Sequence, residues 1–358
     1  MSKQDIRELS LDELVRFLES AGEKSFRAKQ VFEWIYKKGA KDFDQMTNIP
    51  AALRERLKAE FAFGQPAVVR HEISEDATQK FLFDLEDKEK VETVLIPASG
   101  RATVCVSTQA GCKFGCKFCA SGIGGWTRNL TSAEILQQVL KAKEAAQDQP
   151  STLSGPRGRS RVPSNGLSHI VFMGTGEPLD NYDNVLKAIR TINAKEGLNI
   201  GARRITVSTC GVIPQIKKLA KEGLQIELAI SLHGFNDESR KVLMPVNKKY
   251  PFGELIDACR EYIAATKRQV TFEYILIKNL TCSDGAAQEL GRALKGMICK
   301  MNLIPYNKVD EFDHEPPTRA EALHFRDSLS RYGIHATIRT PRGRDVSAAC
   351  GQLRHEVG

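Results

Sequence analysis

At 358 residues, 41% of them hydrophobic and 27% charged, the chain is long enough for one large domain with a small appendage and has the balance of a soluble globular protein. No apolar run approaches membrane-spanning length, and Met1-Ser2-Lys3-Gln4-Asp5 is no apolar signal segment, which argues against a membrane protein and predicts a cytoplasmic one whose nine cysteines are reduced. A formal net charge of +8 favours a polyanionic partner.

The first part reads helical. Ser10 followed by Glu13 is a capping box that opens a helix over residues 12–21. A second helix is predicted over 25–38, and Pro50 begins a third that runs through Phe61. On the second helix Phe26, Val31, Trp34 and Ile35 form an apolar stripe, with Lys24, Arg27, Lys29, Lys37 and Lys38 around it. Basic residues beside aromatics on a small helical unit fit an RNA-binding module. A solvated basic face over a small core is the plainer reading of the same residues. Residues 68–97 carry alternating runs, Lys80-Phe81-Leu82-Phe83 and Val91-Glu92-Thr93-Val94-Leu95-Ile96, which read as strands.

From residue 102 short apolar runs alternate with helix-length segments. Strands are predicted at 102–107, 169–173, 204–208, 227–231, 270–275 and 302–304, and helices at 132–146, 182–193, 214–221, 252–265 and 284–297. Six β–α units imply a parallel sheet with helices outside, closing only part of a barrel: an α/β fold of partial (β/α)6 type. Segment 150–165, rich in Pro, Gly, Ser and Arg, reads as a mobile loop before the second strand. The predicted organisation is a helical accessory domain over 1–66, connecting strands over 67–97, the partial barrel over 98–342 and a tail over 343–358.

Cys112, Cys116 and Cys119 occupy the loop that follows the first barrel strand, in Gly111-Cys112-Lys113-Phe114-Gly115-Cys116-Lys117-Phe118-Cys119. Ligands enter a barrel at the C-terminal ends of its strands. Thiolates suit iron–sulfur clusters, and three of them on a tight loop can hold three corners of a 4Fe-4S cluster. Electron-transfer clusters usually take four cysteines, and no fourth lies in this run, so one iron is left open for chemistry. A structural zinc site would need a second Cys or His pair, and the nearest downstream histidine, His169, has no suitably spaced partner. The spacing resembles the radical S-adenosylmethionine (SAM) superfamily. The resemblance implies that the open iron chelates the amino and carboxylate groups of SAM, and that reduction cleaves SAM to a 5′-deoxyadenosyl radical.

Other strand ends agree. Gly174-Thr175-Gly176-Glu177-Pro178-Leu179 follows the second strand, where Gly176 lets backbone approach a ligand and Glu177 can accept from an ammonium. It resembles the superfamily motif that holds the SAM amino group. Ser208 on the third strand, Ser231-Leu232-His233 on the fourth and Asn307 after the sixth match SAM-contacting positions. Thr175 stands where methionine is common, a departure expected to change packing beside SAM while leaving the Glu177 contact.

In the tail, Ala348-Ala349-Cys350-Gly351-Gln352-Leu353 places a cysteine among small residues, as a reactive thiol on a mobile segment would be. Cys105 lies on the first barrel strand, on the same face as Thr103 and Ser107, where packing alone would explain it. Taken together, Cys105, the Cys112–Cys119 loop, Gly176-Glu177, Pro305-Tyr306-Asn307 and this tail resemble the RlmN/Cfr family of RNA adenine methyltransferases over nearly the whole chain.

That resemblance implies a mechanism suited to C2 of adenine, an electron-poor carbon beyond the reach of polar methyl transfer. Cys350 is first methylated, polar chemistry on a good nucleophile. A radical made from a second SAM removes hydrogen from the thioether, and the carbon radical adds to the base. Cys105 then resolves the protein–RNA adduct by a disulfide with Cys350, and Glu92 matches the proposed proton acceptor. The implied substrates are an adenosine in 23S ribosomal RNA and one in a tRNA anticodon loop, which must leave its stack to enter the barrel. The implied partners also include an electron donor such as flavodoxin, with the enzyme acting as a monomer. Gly176-Glu177-Pro178-Leu179 favours C2 over the C8 product of the resistance-type members. A non-catalytic iron–sulfur RNA-binding protein would leave the SAM-holding strand ends without purpose, and a glycyl-radical activase would leave the Cys350 tail without one.

Overall fold

The computed structural model describes residues 3–98, 100–148 and 166–354, so the loop predicted over 150–165 lies outside the described residues. Its N-terminal unit holds β1 (Gln4–Asp5), α1 (Leu11–Ser20), α2 (Phe26–Tyr36), α3 (Ala51–Glu60) and β2 (Phe61–Ala62), with β2 pairing parallel to β1. The capping box is formed: the Glu13 amide donates to Ser10 Oγ at 3.2 Å, and the Ser10 amide to Glu13 Oε2 at 2.7 Å. The buried stripe of α2 is Ala28, Val31, Phe32, Ile35 and Tyr36, spaced at i, i+3 and i+4. Phe26 falls off that spacing and is 45% exposed, which corrects the stripe expected from sequence.

Among the described residues ten strands make one sheet. β3 (Ala67–Ile73), β4 (Gln79–Asp84), β5 (Lys90–Ala98) and β6 (Arg101–Cys105) form an antiparallel meander. After β6 the chain makes the small antiparallel pair β7 (Gln109–Gly111) and β8 (Trp126–Asn129), then α4 (Ser132–Gln147). The sheet resumes parallel from β6 through β9 (His169–Phe172), β10 (Ile205–Thr209), β11 (Glu227–Ser231), β12 (Val270–Leu276), β13 (Cys299–Pro305) and β14 (His335–Ile338). The six parallel strands read from sequence are all present, and β14 adds a seventh.

Between these strands run α5 (Tyr182–Asn193), α6 (Ile213–Leu219), α7 (Asp237–Leu243), α8 (Phe252–Thr266), α9 (Asp284–Ala293) and α10 (Arg319–Ser330). All seven residues of β12 are buried, as a parallel strand covered on both faces requires. Val185, Ala188, Ile189 and Ile192 press the apolar face of α5 into the core. α9 stops at Ala293 rather than 297, because the chain turns at Gly296, whose φ is +74°. Among the described residues no helix is long and apolar enough to cross a membrane.

Candidate active site at the barrel mouth

The three motif cysteines hang from a hairpin. β7 and β8 flank the loop, and the Cys112 amide donates to Gly125 O at 2.8 Å, closing its base. Gly111 is required there: its φ is +74°, and a Cβ would lie 2.0 Å from Gly125 O. The loop is pinned on its far side by the Lys117 amide, which donates to Leu243 O at 2.9 Å.

Cys112, Cys116 and Cys119 line a cavity of about 160 Å³ together with Gly176, Glu177, Ser208, Ser231, His233 and Cys350. Burial pushes the Cys112 thiol up to about 12 and Cys116 well above its ordinary value, and the neighbouring thiols add to both shifts. Such thiols ionise only against concentrated positive charge, which the iron of a cluster supplies. Among the described residues no three His, Cys, Asp or Glu side chains converge on a single ion. Three corners of a cluster sit on separate irons, so the donor set fits a cluster better than one metal.

Glu177 is buried, and burial raises its pKa. Its carboxylate accepts from the Leu179 amide at 2.9 Å and the Cys210 amide at 2.6 Å. A buried carboxylate in a cavity wall is suited to an ammonium, as the amino group of SAM would provide. Gly176 has φ +103°, and a Cβ there would meet Gln109 Cβ at 2.6 Å. Gln109 in turn accepts from the Glu177 amide at 2.8 Å, so the close approach fixes the carboxylate's backbone. Thr175 is buried and does not line the cavity.

His233 has φ +49°, rare for a non-glycine residue. Its Nδ1 accepts from the Ile275 amide at 3.0 Å, which leaves the proton on Nε2. Burial, aided by the Arg240 charge, brings its pKa down to about 3, so the ring is neutral. Leu232 is wholly buried behind it and does not border the cavity.

No motif in the sequence marks Arg240. Its guanidinium is fully buried, donating to Leu232 O at 3.1 Å, Asn247 Oδ1 at 2.8 Å and Cys210 O at 2.6 Å. It is a fixed positive charge behind the cysteine loop and lowers the pKa of Cys116. An arginine on a short surface-like helix offers no local signal of this. Glu273 on β12 and Arg339 after β14 also line the cavity, and no motif marks them either.

The tail is tied down rather than loose. Asp345 accepts from Ser74 Oγ at 2.6 Å and the Glu75 amide at 3.0 Å, both at the β3–β4 turn. Asp76 of that turn accepts from the Gly343 amide at 3.2 Å. Further on, the Ala120 amide donates to Gly351 O at 2.8 Å and Ser121 Oγ to Leu353 O at 2.9 Å. Cys350 lies between these anchors; it is exposed and is one of the residues that border the cavity. Burial pushes that thiol up and Arg339 opposes the shift.

Three predicted residues contact the tail instead of the cavity. Cys105 is buried in a small apolar cluster with Val94, Ala348 and Leu353. Burial, then the Cys350 charge, raises its pKa to about 12. Both thiols are free. Glu92 is buried beside Lys80, 3.0 Å away, and accepts from the Arg354 amide at 2.8 Å. Asn307 donates to Cys350 O at 3.2 Å and accepts from Arg344 Nε at 3.1 Å.

Residues 4–62 match the family described as ribosomal RNA large subunit methyltransferase N-terminal domain, and residues 159–286 match the radical SAM superfamily. Over 352 residues the chain is 46% identical to "Probable dual-specificity RNA methyltransferase RlmN" of Clostridium novyi (strain NT), covering 98% of each chain. Its counterpart of the same name in Clostridium tetani (strain Massachusetts / E88) is 48% identical over 351 residues, covering 98% of this chain and 95% of that one. The crystal structure of a radical SAM methyltransferase from Sphaerobacter thermophilus is similar with a TM-score of 0.89 at 44% identity, covering 98% and 99% of the two chains.

Proposed function

The chain belongs to the RlmN family of radical SAM RNA methyltransferases, and on that premise we propose that it methylates C2 of an adenosine in 23S ribosomal RNA and in the anticodon loop of tRNA. Membership brings a 4Fe-4S cluster and SAM as cofactors, which together supply a 5′-deoxyadenosyl radical when bound and reduced. Cys112, Cys116 and Cys119 hold three corners of that cluster. Glu177 would receive the ammonium of SAM and Gly176, Ser208, Ser231 and His233 would line the rest of its site, with Leu232 buried beside His233 and Asn307 acting from the tail side through its bond to Cys350 O. A donor such as flavodoxin provides the electron.

Cys350 carries the methyl carbon to the base as a thioether. Cys105 releases the adduct on Cys350 by forming a disulfide with it, and Glu92 accepts the proton lost from C2. The observation that carries this reading is that Cys350 borders the same cavity as the three cysteines and Glu177, at the end of a tail that also packs on Cys105. RNA docking on the accessory unit is supported by basic–aromatic pairs along α2 and just past its end, with Phe26 and Lys38 exposed and Arg27 and Trp34 half-buried. Lys38 Nζ lies 3.6 Å from the Trp34 ring centre and the Arg27 guanidinium 4.8 Å from that of Phe26. Beside them a groove of about 500 Å³ is lined by Arg7, Lys37, Lys38, Lys41, Lys141 and Lys143.

The test is the mass of the tail peptide containing Cys350, from protein made with iron and SAM available, with Cys350→Ala as the paired variant. One added methyl on Cys350, and loss of 2-methyladenosine from RNA treated with a variant that still binds cluster and SAM, are expected. Normal RNA product from Cys350→Ala would sink the scheme, and 8-methyladenosine would replace the C2 assignment.

A further inference from the structure

Among the described residues one oxygen in the cavity wall has no hydrogen-bond partner. Glu273 on β12 is 4% exposed, and its Oε1 accepts from Asn302 Nδ2 at 2.8 Å, while Oε2 receives no hydrogen bond. Arg339 Nη1 stands 3.7 Å from Oε2, within ion-pair range but beyond hydrogen-bond length. Both side chains line the cavity that Cys350 borders. Arg339 is held in place by its own amide, which donates to Leu303 O at 2.8 Å. Together they offer an incoming ligand an acceptor beside a donor, in a position where an unmet carboxylate oxygen is costly.

We propose that Glu273 and Arg339 read the Watson–Crick edge of the target adenine, with Glu273 Oε2 accepting from the exocyclic amine N6 and Arg339 donating to ring nitrogen N1. This rests on the function proposed above. Adenine presents one donor beside one acceptor on that edge, the complement of the pair, and extruded bases are read there. Guanine would set a carbonyl against the carboxylate and an N–H against the guanidinium, so the same pair rejects it. N1 adjoins C2, so a guanidinium hydrogen-bonded to it draws electron density from the carbon that accepts the new bond. The adenosyl group of SAM carries the same edge, and the experiment separates the two sources.

The experiment compares RNA bearing the target adenosine with RNA bearing purine riboside at that position, which lacks N6. With the wild-type holoenzyme, kcat/KM for the purine RNA falls about 10- to 100-fold, the loss expected when a charged acceptor is left unmet. In Glu273→Gln the side-chain oxygen keeps its bond to Asn302 and an amide NH2, a donor, replaces Oε2. Adenosine RNA then falls by a similar factor, and purine RNA falls no further. The rate of Cys350 methylation, which uses SAM without RNA, stays as in wild type, and the iron content of the variant confirms that it folds. Equal use of both RNAs by the wild type, or losses that multiply in Glu273→Gln, would overturn the proposal without needing the variant to be fully active. Slowed Cys350 methylation in the variant would also overturn it, assigning the donor to SAM. Failure of the wild type on adenosine RNA would instead refute the function on which it rests.

Discussion

Replacing Gly111 with alanine tests whether the hairpin holds the cysteine loop. Alanine at φ +74° carries the left-handed penalty of about 1–2 kcal/mol. Its Cβ would also sit 2.0 Å from Gly125 O, a backbone atom with no rotamer to yield. Relief requires the carbonyl to move, and that carbonyl accepts from Cys112, a bond worth about 1 kcal/mol. The sum, about 2–3 kcal/mol, makes opening of the loop base roughly 30- to 150-fold more frequent. Gly115, also at positive φ, is the control, because a Cβ there meets nothing within 4 Å and only the backbone penalty applies. The assay is anaerobic reconstitution with iron and sulfide, followed by iron loss to a chelator. Gly111→Ala should load less iron and lose it faster than Gly115→Ala. Equal loss from both variants, or wild-type retention by Gly111→Ala, would refute the argument that this contact secures the ligands.

Three other outcomes are expected. Cys105→Ala should trap a covalent protein–RNA adduct, visible as a shifted band on a denaturing gel; clean release of modified RNA removes Cys105 from the scheme. Asp345→Ala breaks the bonds to Ser74 and Glu75, so Cys350 should be alkylated faster by iodoacetamide at unchanged iron content; an unchanged rate would mean that the latch does not govern the thiol. His233, with its pKa lowered to about 3, refuses a proton that the unfolded chain accepts below about pH 6.5. Stability is therefore full above that pH and falls as pH drops toward 3. His233→Asn, which tolerates positive φ and keeps an acceptor for the Ile275 amide, should flatten the fall in urea midpoint between pH 8 and 5.5. Parallel pH profiles would count against it.

Local signals carried much of the reading. The helix at Tyr182–Asn193 was bounded correctly because its apolar residues keep one period from end to end. The cysteine loop stands out by its spacing and Gly176-Glu177 by its place one strand after it, and the fold brings both to one cavity. β14 escaped because four residues of alternating burial at an edge carry little apolar signal. α10 had a readable mark, since Thr318 and Glu321 form a capping box, but the periodicity behind it is weak. Arg240, Glu273 and Arg339 owe their roles to neighbours far along the chain, so no window of sequence could show them. The bonds of Asn307 and Glu92 to the tail at Cys350 and Arg354 appear only when the chain folds back.

The anchored tail confines its cysteine. Asp345 is five residues before Cys350 and Arg354 four after it, so with both ends fixed the Cys350 backbone can lie no more than about 17 Å from the first tether and about 14 Å from the second. Within that radius its effective concentration toward Cys105 and the cavity is high, and toward the Cys105 of another copy of the chain it is negligible. A methyl carrier at Cys350 would therefore serve only the barrel it is joined to. A mixture of Cys350→Ala and Cys105→Ala chains should not recover turnover, and recovery would mean that the tail crosses between molecules.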